Sequence, residues 1–78
     1  MQGAIVMTQL GASADIGALH KALHGLENVK EVFFLAGPTD LLCRVEAGDV
    51  AAVTRTVLQV RGLTGVASTD TRFILPIS

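Results

Sequence analysis

The order in which the hydrophobic period changes along this 78-residue chain predicts an α+β sandwich: strand, helix, strand, strand, helix, strand, with one four-stranded antiparallel sheet carrying two helices on one face. Three observations carry that expectation. Residues 41–47 alternate, with Leu41, Cys43, Val45 and Ala47 on one side and Leu42, Arg44 and Glu46 on the other. Two further stretches, Ile16, Leu19, Leu23, Leu26 and Val50, Val53, Val57, Val60, space apolar residues three, four and three apart, the stripe of an amphipathic helix. Finally, Gly25-Leu26-Glu27-Asn28-Val29 is echoed by Gly62-Leu63-Thr64-Gly65-Val66, so one strand-helix-strand unit is used twice.

Each element has its own boundary signals. Residues 3–10 are rich in Ile, Val, Met and Thr and stop at Gly11, as a strand does at a breaker. Ser13 and Asp15 offer N-cap oxygens to the first helix, and Glu27-Asn28 is the polar break after it. Residues 29–36 contain Val32-Phe33-Phe34-Leu35, an apolar run too short for a buried helix, ended by Gly37-Pro38. Gly48-Asp49 supplies the break and the cap before the second helix. In residues 66–75, Thr69, Thr71 and Phe73 alternate with Asp70, Arg72 and Ile74 until Pro76 ends the pairing. Two right-handed crossovers put both helices on one face, the ferredoxin-like arrangement. The other face stays apolar, because the first two strands carry large side chains at both parities: Ile5 and Met7 beside Val6 and Leu10, Phe33 and Leu35 beside Val32 and Phe34. A second copy related by a two-fold axis is the simplest cover, so the chain is expected to dimerise through its sheet.

Composition points the same way. A chain this short buries only roughly 60% of its surface on folding, which leaves a lone core marginal. One Cys excludes an intrachain disulfide, and no Cys/His cluster has zinc-site spacing, so a partner chain is the remaining staple and no metal or cofactor is expected. A net charge of -1 with six basic residues gives no field for gripping phosphates, so direct contact with nucleic acid is not expected. The opening residues lack a basic n-region and a spanning apolar run, which predicts a cytoplasmic protein with Cys43 reduced and no membrane association.

Few residues invite chemistry. His20 and His24 lie four apart on the first helix, but two imidazoles do not complete a metal shell, so they read as a solvated flank. Cys43 belongs to the apolar side of its strand and reads as core, and Asp15 and Asp49 read as helix caps. Arg44 with Glu46, and Asp70 with Arg72, form either ion pairs between subunits or a solvated edge. Asp40 has no helix behind it to cap, and is either a turn residue or a ligand residue. In Ser68-Thr69-Asp70-Thr71 two hydroxyls share one strand face, where they serve backbone or ligand equally. No nucleophile triad, carboxylate pair or phosphate-cradling glycine motif can be assembled, so catalysis is not expected.

The stretches Gly25-Leu26-Glu27-Asn28-Val29-Lys30-Glu31-Val32, Gly37-Pro38-Thr39-Asp40-Leu41-Leu42 and Thr64-Gly65-Val66-Ala67-Ser68-Thr69-Asp70-Thr71 together resemble the ligand-binding domain of the Lrp/AsnC regulators, also called RAM, for regulation of amino-acid metabolism. The resemblance spans nearly the whole chain, in a G-x-x-D and a T-x-T signature at the right separation. It implies a domain that pairs through its sheet, builds rings of dimers, and binds a free amino acid where dimers meet. Gly37 and Asp40 match the family's loop between strands two and three, and Thr69 and Thr71 its last-strand hydroxyls. With Pro38, Thr39 and Ser68 these make the candidate ligand-binding set. A carboxylate at Asp40 would accept from an α-ammonium while loop N–H groups and threonine hydroxyls donate to an α-carboxylate. Family members often have an aromatic residue before the loop aspartate, whereas this chain has Thr39, so ligand identity does not carry over. The regulators also bear an N-terminal helix-turn-helix, while this sequence starts at strand one. The expectation is therefore a single ligand domain over residues 1–78 that co-assembles with full-length regulators or senses amino acids for another partner. The same fold also hosts small dimeric α+β barrel enzymes, ACT-type amino-acid sensors and purely structural assembly subunits.

Overall fold

The computed structural model describes residues 1–36 and 40–75. The chain runs β1 (Gln2–Leu10), α1 (Ile16–His24), β2 (Val29–Phe34), β3 (Leu41–Ala47), α2 (Val50–Arg61) and β4 (Val66–Phe73). The sheet is antiparallel with the order β2-β3-β1-β4, which confirms the ferredoxin-like topology. β1 and β3 are therefore central, and β2 and β4 are the edges.

Register fixes which side chains meet. Val6 lies opposite Cys43 on one side and Thr71 on the other, and Val32 lies opposite Cys43. That parity is the helix-covered face, where Ala4, Val6, Leu41, Cys43, Val45 and Val29 join Leu23, Val53 and Val60 in the core. The opposite parity carries Phe33, Leu42, Met7 and Asp70 in one transverse row and Glu31, Arg44, Ile5 and Arg72 in the next. Two strands end earlier than their sequence suggested. β2 stops at Phe34 because the Leu35 N–H turns to donate to the Asp40 carbonyl at 2.9 Å, which starts the reversal into β3. β4 stops at Phe73, although the Ile74 N–H still reaches the Gly3 carbonyl at 2.9 Å. Pro76 lies outside the described residues.

Both helices are capped as their sequences suggest. Asp15 accepts from the Ala18 N–H at 3.1 Å and Asp49 from the Ala52 N–H at 2.8 Å, so Ser13 is not the cap. The stripes are only partly buried. Leu19 and Leu23, and Val53 and Val60, are in the core, but Ile16 and Val50 at the first helical positions stay 55% and 52% exposed. In α2 a buried position goes to Thr56, whose hydroxyl donates to the Ala52 carbonyl and accepts from the Asn28 amide, each at 3.0 Å.

The repeat in the sequence is a repeat in structure. Each helix ends in a glycine, followed by two turn bonds: Leu26 to Leu23 and Val29 to Leu26 in one half, Leu63 to Val60 and Val66 to Leu63 in the other. Each turn then reaches across the pseudo-two-fold to a strand of the other half. The Asn28 carbonyl accepts from the Glu46 N–H at 2.9 Å, and the Gly65 carbonyl accepts from the Gly11 N–H at 2.8 Å.

Candidate functional site

The ends of β1 and β2, the start of β3 and the first turn of α1 converge on a cavity of about 360 Å³ lined by Leu10, Gly11, Ala12, Ala14, Ile16, Phe34, Leu35 and Asp40. Seven of the eight lining residues are apolar or glycine, and Asp40 is the charged one. Its position follows from the register. Opposing Thr8 to Leu41 places Asp40 one residue beyond the ladder, beside the irregularity at Gln9 and Leu10. There the Leu10 N–H donates to Oδ2 of Asp40 at 3.0 Å. Among the described residues the other carboxylate oxygen has no hydrogen-bond partner. Asp40 thus ties the start of β3 to the end of β1 through one oxygen, a long-range contact and not the local turn bond that its sequence position suggested, and it stands in the wall of an apolar cavity.

The remaining candidates are distributed. Gly37, Pro38 and Thr39 lie outside the described residues. Ser68 sits opposite Gln9 at the same end of the sheet, and its hydroxyl donates to the Gln9 side-chain oxygen at 3.4 Å. Thr69 and Thr71 are half-buried on the helix-facing side of β4, opposite Thr8 and Val6. β1 stands between β4 and β3, so two strand spacings, about 10 Å, separate the threonines from the strand that Asp40 begins. Within one chain Asp40 and the threonines do not share a cavity. Leu10, Ile16, Phe34 and Leu35 are lining residues that sequence reasoning did not single out. The signal available was Ile16, an apolar residue at the first position of a helix.

Other polar groups settle into local roles. Arg44 pairs with Glu31 across the β2–β3 ladder and with Glu46 along β3, and Arg72 pairs with Asp70, so the charged groups of the open face satisfy one another within the chain. Cys43 is fully buried, and that burial pushes its thiol up to about 11, the inert state expected of a core cysteine. His20 and His24 are exposed on α1. No helix among the described residues is long and apolar enough to cross a membrane.

Comparison with known proteins agrees with this geometry. No curated protein sequence matches the chain. Among solved structures, a Thermus thermophilus protein is 30% identical, covering 100% of this chain and 98% of its own, with a TM-score of 0.88. E. coli AsnC superposes with a TM-score of 0.86 at 18% identity, over 97% of this chain and 52% of its own length. A Neisseria meningitidis transcriptional regulator, solved in complex with L-Met, superposes with a TM-score of 0.85 at 22% identity, over 96% of this chain and 50% of its own. The family model described as the Lrp/AsnC ligand binding domain matches residues 4–77, and the chain belongs to that family.

Proposed function

We propose that this domain binds a free amino acid at the cavity headed by Asp40, does so as an oligomer, and works by binding, with neither catalysis nor direct contact with DNA. The observation that carries the reading is the half-buried Asp40 carboxylate, anchored through one oxygen on the Leu10 N–H, on the wall of an otherwise apolar cavity. A carboxylate so placed accepts charge-assisted bonds from an α-ammonium group, and the apolar lining suits an aliphatic or thioether side chain. The L-Met held by the Neisseria meningitidis regulator has that chemistry. Neither histidine lines the cavity, so the acid-base partner that a dimeric barrel enzyme would need is missing from its wall among the described residues.

The oligomer follows from two arguments. The open sheet face presents Phe33, Leu42, Met7 and Ile5, with Phe33 48% exposed, and a second sheet is the cover such a face accepts. The lining of the cavity at Asp40 includes none of Ser68, Thr69 and Thr71 of the same chain. If Gly37, Pro38, Thr39, Asp40, Ser68, Thr69 and Thr71 all serve one ligand, they come from different chains, and the site then belongs to the seam where dimers meet in a ring. The same interfaces would admit a full-length regulator as partner, in the cytoplasm.

The test is a thermal-shift screen against individual amino acids with the wild-type chain and Asp40→Ala. A ligand selective for the native state at 100 times its Kd adds about 2.7 kcal/mol, or roughly 10 °C or more for a domain of this size. The expected result is a rise with one or a few apolar amino acids that disappears in Asp40→Ala. Mixing Asp40→Ala with Thr71→Val chains should restore part of it if the site is shared. No shift at millimolar concentrations, or an equal shift in the variant, would refute the reading and leave an assembly subunit.

A further inference from the structure

Neither His20 nor His24 lines the Asp40 cavity, although His20 packs on Phe34 of its wall. They are exposed on α1, yet their Nε2 atoms converge to 3.1 Å. In a neutral pair one ring donates to the other through these nitrogens. The same convergence has a second use, and from it we infer that His20 and His24 form a two-imidazole chelating site for a divalent first-row transition cation.

A zinc-to-imidazole bond is about 2.0–2.1 Å long, and two such bonds meeting at roughly 95° hold their nitrogens about 3 Å apart. The observed separation is that bite, so a cation can replace the shared proton with the two nitrogens at their present spacing, the rings turning to aim both lone pairs at it. Helical spacing of four residues stacks the two side chains on one face. The rings are already set: their centroids are 4.4 Å apart at 68°, and His20 lies 5.8 Å from the Phe34 ring of β2, which backs it on the sheet side. His24 is the last residue of α1, where the outward-facing carbonyls favour a cation. Lys21 in the same turn opposes it and limits affinity. Among the described residues no third His, Cys, Asp or Glu completes a cluster, so the remaining coordination positions are open to water or to a donor from outside. Imidazole ligands select Cu²⁺, Ni²⁺ and Zn²⁺ over Mg²⁺ and Ca²⁺, which demand oxygen. Two donors do not make a site from spacing alone. What the structure adds is the convergence of the nitrogens and the ring behind them.

The test titrates the full chain, its His20→Ala and its His24→Gln variants with ZnCl₂, with MgCl₂ as control, following both imidazole resonances by NMR and affinity by calorimetry. Far-UV circular dichroism checks that α1 persists in each variant, and His24→Gln touches only the partner histidine. Zn²⁺ should move both imidazole resonances of the wild type together. Losing a direct ligand should weaken binding at least as much as losing a supporting group does, about 10- to 100-fold, and Mg²⁺ should do nothing. Equal Zn²⁺ affinity in wild type and His24→Gln, or a titration that leaves either imidazole unmoved, would overturn the proposal. Because His24 meets His20 and no residue of the cavity lining, the amino-acid shift should survive His24→Gln, which separates failure here from failure of the effector reading.

Discussion

Replacing Gly65 by alanine should be among the most damaging single-methyl changes this chain can suffer. Gly65 has φ +99°, where an L-residue pays about 1–2 kcal/mol. A Cβ built there falls 3.0 Å from the Ala14 Cβ, 3.2 Å from the Ala14 Cα and 3.4 Å from Leu19 Cδ1. Neither Ala14 atom belongs to a flexible side chain, so backbone must move, and overpacking of that kind costs about 1–3 kcal/mol. The backbone concerned is held, because the Gly65 carbonyl takes the Gly11 N–H at 2.8 Å and the Ala14 N–H donates to the Gly11 carbonyl at 3.1 Å. Together these give roughly 2–5 kcal/mol against a total stability of about 4–12 kcal/mol for a domain of this length. The melting temperature should drop by about 8 °C or more.

Urea and thermal unfolding read this directly, with Gly62→Ala as the matched control. Gly62 is the C-cap of α2, three residues before Gly65, but its φ is -80° and the nearest contact of a Cβ built there is the Leu58 carbonyl at 3.5 Å, so alanine there should be neutral or stabilise by up to about 1 kcal/mol. Adding Ala14→Gly to Gly65→Ala should recover the share of the steric loss due to the Ala14 Cβ and leave the share due to φ and to the Ala14 Cα. If Gly65→Ala melted with the wild type, or if Ala14→Gly made it worse, the close approach of the α2–β4 turn to the start of α1 would not be how this chain packs.

Two more outcomes are expected. Thr8 is fully buried on the helix-facing side of β1 and its hydroxyl has no hydrogen-bond partner among the described residues, so Thr8→Val, of nearly the same shape, should raise stability by about 1–2 kcal/mol in denaturant unfolding; a loss would mean that the hydroxyl is satisfied. Burial holds the Cys43 proton up to about pH 11 against an ordinary 9.0, so its contribution is complete below pH 9 and drains away as pH rises toward 11. At about 1.4 kcal/mol per pH unit, wild type should lose roughly 2–3 kcal/mol relative to Cys43→Ala over that window, and parallel pH profiles would refute it.

The fold was legible because its signals are local and agree with one another. The alternation of residues 41–47 could only be a half-buried strand, and β3 has those bounds and that burial. Asp15 and Asp49 sit where capping chemistry needs a carboxylate, and both cap. What sequence misjudged depends on edges. Ile16 and Val50 continue a helical period that is correct as geometry, yet each is the first residue of its helix and stays more than half exposed, so period alone overstates burial. The end of β2 was set by the Asp40 carbonyl, six residues beyond the last paired residue, which no window centred on β2 contains.

The site was less legible for a reason that lies in the strand order. Asp40 and the β4 threonines look like neighbours in a motif, since both flank the second half of the repeat, but the order β2-β3-β1-β4 inserts β1 between them. That same insertion turns the Leu10 N–H into the partner of Asp40 and makes the first turn of α1 the far wall of the cavity. The residues that confront the carboxylate, Leu10, Ile16, Phe34 and Leu35, are common apolar types whose meaning comes only from where three strand ends and a helix start converge. A motif read along the chain therefore found the charged anchor and could not find the wall opposite it. In the proposed function, the absence of Thr69 and Thr71 from the lining of that cavity is what calls for a second chain, and it makes ligand binding and assembly one equilibrium: an amino acid held by residues of two chains binds the assembled state better than the separated one, and shifts the population toward it by that difference in affinity.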